Sequence, residues 1–238
     1  MVYAEILAAG LGSRMGNTEL PKQFLKLGDK PIIIHTIEQF LLCDKIDKII
    51  VCVSSDWTSY TEDLINKYIS DKDNIIIIEG GEKRDDTVMN GCYYIKENFG
   101  LNDDDIIITH DAVRPFITYK IIEDNIDGLN DADAVDTCIK TTDTIVEVKE
   151  DLETLDNIPN RKYLFNGQTP QTFKLKKLLE LHDKMNEDEK SKLTDACKIF
   201  VLNNQKVKIV KGEEFNIKIT NMFDLKLANA ILLERGNK

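Results

Sequence analysis

A chain of 238 residues with 31 Lys and Arg against 42 Asp and Glu carries a formal net charge of −11. With 42% hydrophobic and 31% charged residues it has ordinary globular composition, which excludes collagen-like, disulfide-scaffold and disordered classes. The acidic balance argues against a general nucleic-acid binder, though not against an anionic small substrate gripped by a few local cations.

The N-terminal segment Val2–Ala9 reads as a short apolar strand, and a glycine-rich loop, 10–16, follows. Pro31 opens a helical pattern with Ile33, Ile34, Ile37, Phe40 and Leu41 on one face. Ile49–Val53 is a second strand, 57–68 a helix and Ile75–Ile78 a third strand that ends at Gly80-Gly81. Val88, Cys92, Ile95 and Phe99 form a helical stripe, and Ile106–Thr109 is a fourth strand. These strands are continuous β-branched runs, the signature of a parallel sheet covered on both faces. Strand–helix alternation of this kind predicts an open, doubly wound, Rossmann-like α/β fold. Its ligand would lie beyond the carboxyl ends of the strands, at loops 10–16, 80–84 and 110–114.

Between about 141 and 161 the pattern changes to Ile145, Val146 and Val148 alternating with charges, which predicts a two-stranded arm suited to pairing subunits. Helices are expected near 175–185 and 195–201, a strand at 207–210, and a last helix near 223–233. The acidic run 186–190 reads as a solvated helix end or loop. The expectation is one domain, 1–238, carrying the arm. No apolar run reaches the ~18–20 residues that span a bilayer, and the N-terminus lacks signal-peptide features. Cys43, Cys52, Cys92, Cys138 and Cys197 are odd in number and widely spaced, as expected of reduced thiols in a cytoplasmic protein. No zinc-ligand spacing is present.

The segment Leu7-Ala8-Ala9-Gly10-Leu11-Gly12-Ser13-Arg14-Met15-Gly16 carries the most information. Glycine lets backbone N–H groups approach an anion. The spacing is neither a Walker loop nor a dinucleotide fingerprint: the third glycine falls one residue late and no ribose-binding acid follows. Arg14 and Lys22 after a glycine-rich turn suit a polyphosphate better than a dinucleotide. The alternative is a tight strand–helix turn with solvated cations.

The chain resembles the cytidylyltransferases that activate sugar-alcohol phosphates. The resemblance rests on LAAGLGSRMG, LPKQF, GGEKRDDTV, THDAVRPF, Asp143-Thr144, Pro159-Asn160-Arg161, GQTPQTF, LTDACKI and FNIKIT, taken in order. Within that family HDAVRPF, GQTPQ and TDACK are closer to the ribitol-5-phosphate branch than to the methylerythritol-phosphate branch. The resemblance implies a nucleotidyltransferase-type fold, CTP and a polyol phosphate as substrates, Mg²⁺, and a homodimer. It gives Arg14, Lys22 and Lys218, the last on a late strand, to catalysis. It gives Leu7, Ala8, Ala9, Gly10, Gly12, Ser13, Gly80, Gly81, Arg84, Thr87, Asp111 and Ala112 to CTP. Thr87 is the hydroxyl candidate for the cytosine edge, and Asp111 the metal ligand. Arg114, Thr144, Arg161, Thr169, Thr194 and Asp195 would bind the acceptor.

The chemistry fits the residues. A phosphate monoester has a second pKa near ~6 and is mostly dianionic at neutral pH, so it needs little help from a base. Positioned cations meet the remaining need, stabilising charge on two polyanions. His110 is accordingly expected to be a packed neighbour and His35 and His182 structural. The competing readings are a nicotinamide-dependent oxidoreductase on a similar sheet and a non-catalytic scaffold.

Overall fold

The computed structural model describes residues 1–10 and 20–236. In chain order the elements are β1 (Val2–Ala8), β2 (Lys26–Leu27), β3 (Lys30–Pro31), α1 (Ile32–Leu41), β4 (Lys48–Val53), α2 (Thr58–Tyr68), β5 (Ile75–Glu79), α3 (Arg84–Phe99) and β6 (Ile106–Asp111). Then follow α4 (Tyr119–Gly128), β7 (Ala134–Lys140), β8 (Glu147–Val148), β9 (Leu155–Asn157), β10 (Phe165–Lys174), α5 (Leu175–Lys184), α6 (Glu187–Ser191), α7 (Cys197–Leu202), β11 (Val207–Lys211) and α8 (Met222–Gly236).

Seven strands form one sheet in the order β11-β7-β10-β6-β1-β4-β5. Every neighbouring pair is parallel except those of β10, which runs antiparallel to both β6 and β7. The fold is thus the mostly parallel α/β sheet expected, with one reversed strand in its middle. The pleat sorts residues to two cores. On one face Ala4, Ile6, Ile49, Val51 and Ile108 meet Ile33, Ile37 and Phe40 of α1, Leu64 of α2 and Ile121 of α4. On the other Tyr3, Ile50, Cys52, Ile107 and Phe173 meet Val88 and Cys92 of α3, Leu178 of α5 and Phe200 of α7. Phe99, the end of the expected stripe, is partly exposed and packs its ring against Tyr3 and Tyr94.

Pro31 precedes the first turn of α1, as its fixed φ and missing N–H favour. The acidic run forms the short helix α6, begun by a capping box of Asn186 and Glu189. The arm is a two-stranded ribbon, β8 with β9, between β7 and β10. The five cysteines are free and buried. No described helix is long and apolar enough to cross a membrane.

One expectation is corrected. FNIKIT forms no strand. It is an irregular segment tied down by the Ile219 N–H donating to Val113 O at 2.9 Å, with Ile219 buried in a small core beneath α8. Alternation of apolar and polar residues here serves a loop pinned at every second side chain, without a neighbouring strand.

Candidate active site

The carboxyl ends of β1, β5 and β6 converge on a cleft of about 300 Å³. Leu7, Ala8, Ala9 and Gly10 form one wall, and Gly81, Glu82, Lys83, Arg84 and Thr87 the opposite one. Lys22, Gln23, Asp111, Val113 and Lys218 close the floor and side. Gly12, Ser13 and Arg14 lie outside the described residues. The two walls approach closely because Gly80 lacks a side chain: a Cβ there would sit 2.5 Å from that of Ala9. Gln23, buried, donates its amide to Ala8 O at 2.6 Å and Gly10 O at 3.2 Å, fixing the exit of β1.

Asp111, at the end of β6, is the electrostatic centre. Its Oδ2 lies 2.9 Å from Lys218 Nζ and 3.4 Å from Arg114 Nε, and its Oδ1 lies 3.6 Å from Arg84 Nε. Burial alone would raise its pKa, but Lys218, Arg84 and Arg114 outweigh that and hold the carboxyl well below the usual carboxylate range. It is therefore ionised at neutral pH. Lys218 reaches it because Asn216, two residues earlier and fully buried, is locked in place. Asn216 Nδ2 donates to Thr169 O at 2.9 Å and to Gln168 Oε1 at 3.2 Å, while its own carbonyl accepts from Arg114 Nη1 at 2.7 Å.

Several of the expected binding groups also make hydrogen bonds within the frame. Thr87 spends its hydroxyl locally, accepting from the Gly81 N–H at 3.1 Å and donating to Lys83 O at 3.0 Å. Ala112 is fully buried behind the cleft, its N–H on Leu7 O and its carbonyl accepting from Thr36 Oγ1 at 2.8 Å. Arg114 is buried, with Nε on Asp111 and Nη1 on Asn216 O. Thr169 accepts from the Asp111 N–H at 3.1 Å and pairs with His110 Nδ1 at 3.0 Å. His110 is buried against Phe40, and burial drops its pKa to about 4, so it is neutral and packed, as expected. Asp195 accepts from Gln171 Nε2 with both oxygens at 2.8 Å and from the N–H of Cys197, the first residue of α7, at 2.9 Å, while Thr194 is exposed. Thr144 and Arg161 are exposed at the root of the arm, where Arg161 Nη1 donates to Thr142 O at 2.9 Å.

Sequence reasoning missed Gln23, Gln171 and Asn216, neutral amides without a charge signal. Among the described residues no group of three or more His, Cys, Asp or Glu could hold a metal ion. A single ionised carboxylate facing the place where phosphates would sit still fits a hard divalent ion that takes most of its ligands from phosphate oxygens and water.

A glycine-walled cleft at parallel strand ends, a buried carboxylate and converging cations define a nucleotidyltransferase-type site. The chain belongs to the 2-C-methyl-D-erythritol 4-phosphate cytidylyltransferase (IspD) family, whose profile matches residues 2–234. It is therefore an enzyme of the cytidylyltransferase class, which sets aside the oxidoreductase and scaffold readings. It is 48% identical over 99% of its length, and all of the relative's, to a ribitol-5-phosphate cytidylyltransferase from Lactiplantibacillus plantarum. Its fold matches the crystal structure of 4-diphosphocytidyl-2C-methyl-D-erythritol synthase from Anaerococcus prevotii with a TM-score of 0.81, at 30% identity and 98% coverage of both chains. It also matches the Francisella tularensis 2-C-methyl-D-erythritol 4-phosphate cytidylyltransferase with a TM-score of 0.79, at 27% identity, covering 96% of this chain and 98% of that one.

Proposed function

We propose that the chain transfers the cytidylyl group of CTP to ribitol 5-phosphate, releasing pyrophosphate and CDP-ribitol. The full-length 48% identity to a ribitol-5-phosphate cytidylyltransferase carries the choice of acceptor. The acceptor's phosphate oxygen attacks the α-phosphorus in line, a new P–O bond forms, and the bond to the bridging oxygen of the pyrophosphate breaks. Lys218 would stabilise negative charge growing at the α-phosphate, and Lys22 with Arg14 would hold the β- and γ-phosphates. The strand-end backbone of Leu7–Gly10 and the Gly80–Arg84 loop with Thr87 would enclose the nucleotide. Asp111 would hold the divalent ion, with Mg²⁺ expected, whose chemistry is to neutralise phosphate charge. Asp111 is also the group that lines up Lys218 and Arg84 before substrate arrives.

The test compares pyrophosphate release from CTP with ribitol 5-phosphate and with methylerythritol 4-phosphate. A kcat/KM for ribitol 5-phosphate at least tenfold higher is expected; the reverse preference would move the chain to the other acceptor and leave the nucleotide roles in place.

The whole chain would work as one catalytic domain whose arm joins two copies. Ile145, Val146, Val148, Leu152, Leu155 and Ile158 all stand exposed on the arm or its flanks, an apolar row of the kind that marks an interaction surface. Thr144 and Arg161 at its root would then serve the neighbouring site. Sedimentation should give the mass of two chains, and Val148→Asp with Leu155→Asp the mass of one; a wild-type mass of one chain sinks the dimer.

A further inference from the structure

Arg84 opens α3 and lines the cleft. Its Nε faces Asp111 Oδ1, its Nη2 donates to Gln171 Oε1 at 3.4 Å, and its Nη1 is buried with no acceptor in the protein. A buried N–H without an acceptor costs free energy, so such a group asks for an explanation. The Arg84 side chain as a whole is a quarter exposed on the cleft, where the oxygens of a nucleotide would meet it.

The same guanidinium has a strong competitor close by. Asp195 and Asp136 lie together on the other side of Gln171, and Asp195 is among the carboxylates whose field Arg84 feels. Arginine and carboxylate form paired, charge-assisted hydrogen bonds readily. A direct Arg84–Asp195 pair would occupy the fork that a phosphate needs. Gln171 stands in the way. Its side chain is 1% exposed, its carbonyl oxygen is turned to the cation, and its Nε2 is turned to Asp195 at 2.8 Å and Asp136 at 3.0 Å. A carboxamide presents an acceptor to the cation at one end and two N–H donors to the anions at the other while carrying no charge. A glutamate would add a third carboxylate, and an apolar residue would leave both carboxylates short of a donor.

We propose that Gln171 is a positioning residue, a neutral spacer that holds Arg84 off Asp195 and Asp136 and so keeps its guanidinium turned to the cleft for a phosphate oxygen of CTP. This rests on the reading of the cleft as the CTP site but not on the identity of the acceptor.

The experiment measures CTP binding by calorimetry on the full chain, with melting curves alongside, for wild type, Gln171→Leu and the double variant Gln171→Leu/Asp195→Asn. Binding needs no acceptor, so failure of the ribitol reading leaves this result legible. Gln171→Leu should weaken CTP about tenfold and melt below wild type, since Asp195 and Asp136 lose a donor. Asp195→Asn in the same chain should restore most of that loss, because the competing charge is gone while an oxygen remains to accept from the Cys197 N–H. A merely structural role for Gln171 predicts no such rescue. The proposal is overturned by wild-type affinity in Gln171→Leu, or by a loss that Asp195→Asn leaves in place. Should the leucine variant not fold, Gln171→Met keeps the length without the amide and is read by the same two outcomes.

Discussion

Replacing Lys218 with methionine should lower kcat for pyrophosphate release about 10²–10³-fold, the range typical of removing one donor that stabilises transition-state charge. The effect on the KM for CTP should be much smaller, because Lys22 and the backbone of the glycine wall remain. Stability should change little: Asp111 keeps Arg84 and Arg114 as partners, so no carboxylate is left buried and unpaired. That combination separates a chemical role from a structural one. A variant within about threefold of the wild-type kcat would place Lys218 away from the reacting phosphorus, and a variant that melts far below wild type would make it a brace for Asp111.

The second large effect concerns stability. Glu5 lies in the middle of β1, fully buried, facing α3. Its Oε1 accepts from the Cys52 thiol at 3.2 Å and its Oε2 has no partner. Helix α3 passes directly over it at Gly91, where any Cβ would collide with the carboxyl. Burial pushes the Glu5 pKa up to about 8, against smaller lowering by Cys52 and Arg84. The unfolded chain loses this proton near pH 4.5, so between the two values the native state binds more protons than the unfolded state. Stability contributed by Glu5 is therefore lost as pH rises from about 4.5 to about 8 and is level above that. The loss amounts to roughly 3–5 kcal/mol at 1.36 kcal/mol per pH unit. Glu5→Gln should remove this slope while keeping an acceptor for Cys52, so its melting temperature relative to wild type should climb steadily between pH 5 and pH 8. Parallel pH profiles for the two proteins would show that Glu5 is not protonated in the native state.

The half of the fold that builds the nucleotide wall was legible because its strands are unbroken apolar runs and its loops carry glycine. In the other half the arm, α5, α7, α8 and β11 were legible too, but α4, β7 and β10 were not. Strand β10, FNGQTPQTFK, is buried from Gln168 to Phe173 yet consists largely of amides and hydroxyls. Its polar groups are satisfied sideways: Thr137 Oγ1 donates to Pro170 O at 2.7 Å, and Thr172 Oγ1 to Asn125 Oδ1 at 3.2 Å. A strand stabilised in this way has no hydrophobic signature, and β7 beside it, with Asp136 and Thr137, is nearly as quiet. In the site, Lys22, Arg84 and Asp111 were legible as charges near glycine or at a strand end, whereas Lys218 came only from the family resemblance. The burial of Arg114 and Thr169 was not, because it depends on Asn216, 102 positions from Arg114 and 47 from Thr169 in the chain, and not on local spacing. The 3.0 Å pairing of Thr169 with His110 likewise joins residues far apart in the chain.

The reversed direction of β10 divides the site by origin. On the proposed function, the nucleotide side is made by strands leaving the sheet, at the ends of β1, β5 and β6. The far side is made by a strand entering it, and the chain reaches that entrance only after running out through the arm. On the proposed function, changes in the arm between β7 and β10 would reshape what is offered to the second substrate, while β10 itself stays tied to β6 through Thr169. Such a layout allows new acceptors to be tried one at a time on a constant donor half, which is how a single scaffold could come to serve both a five-carbon polyol phosphate and a branched four-carbon one.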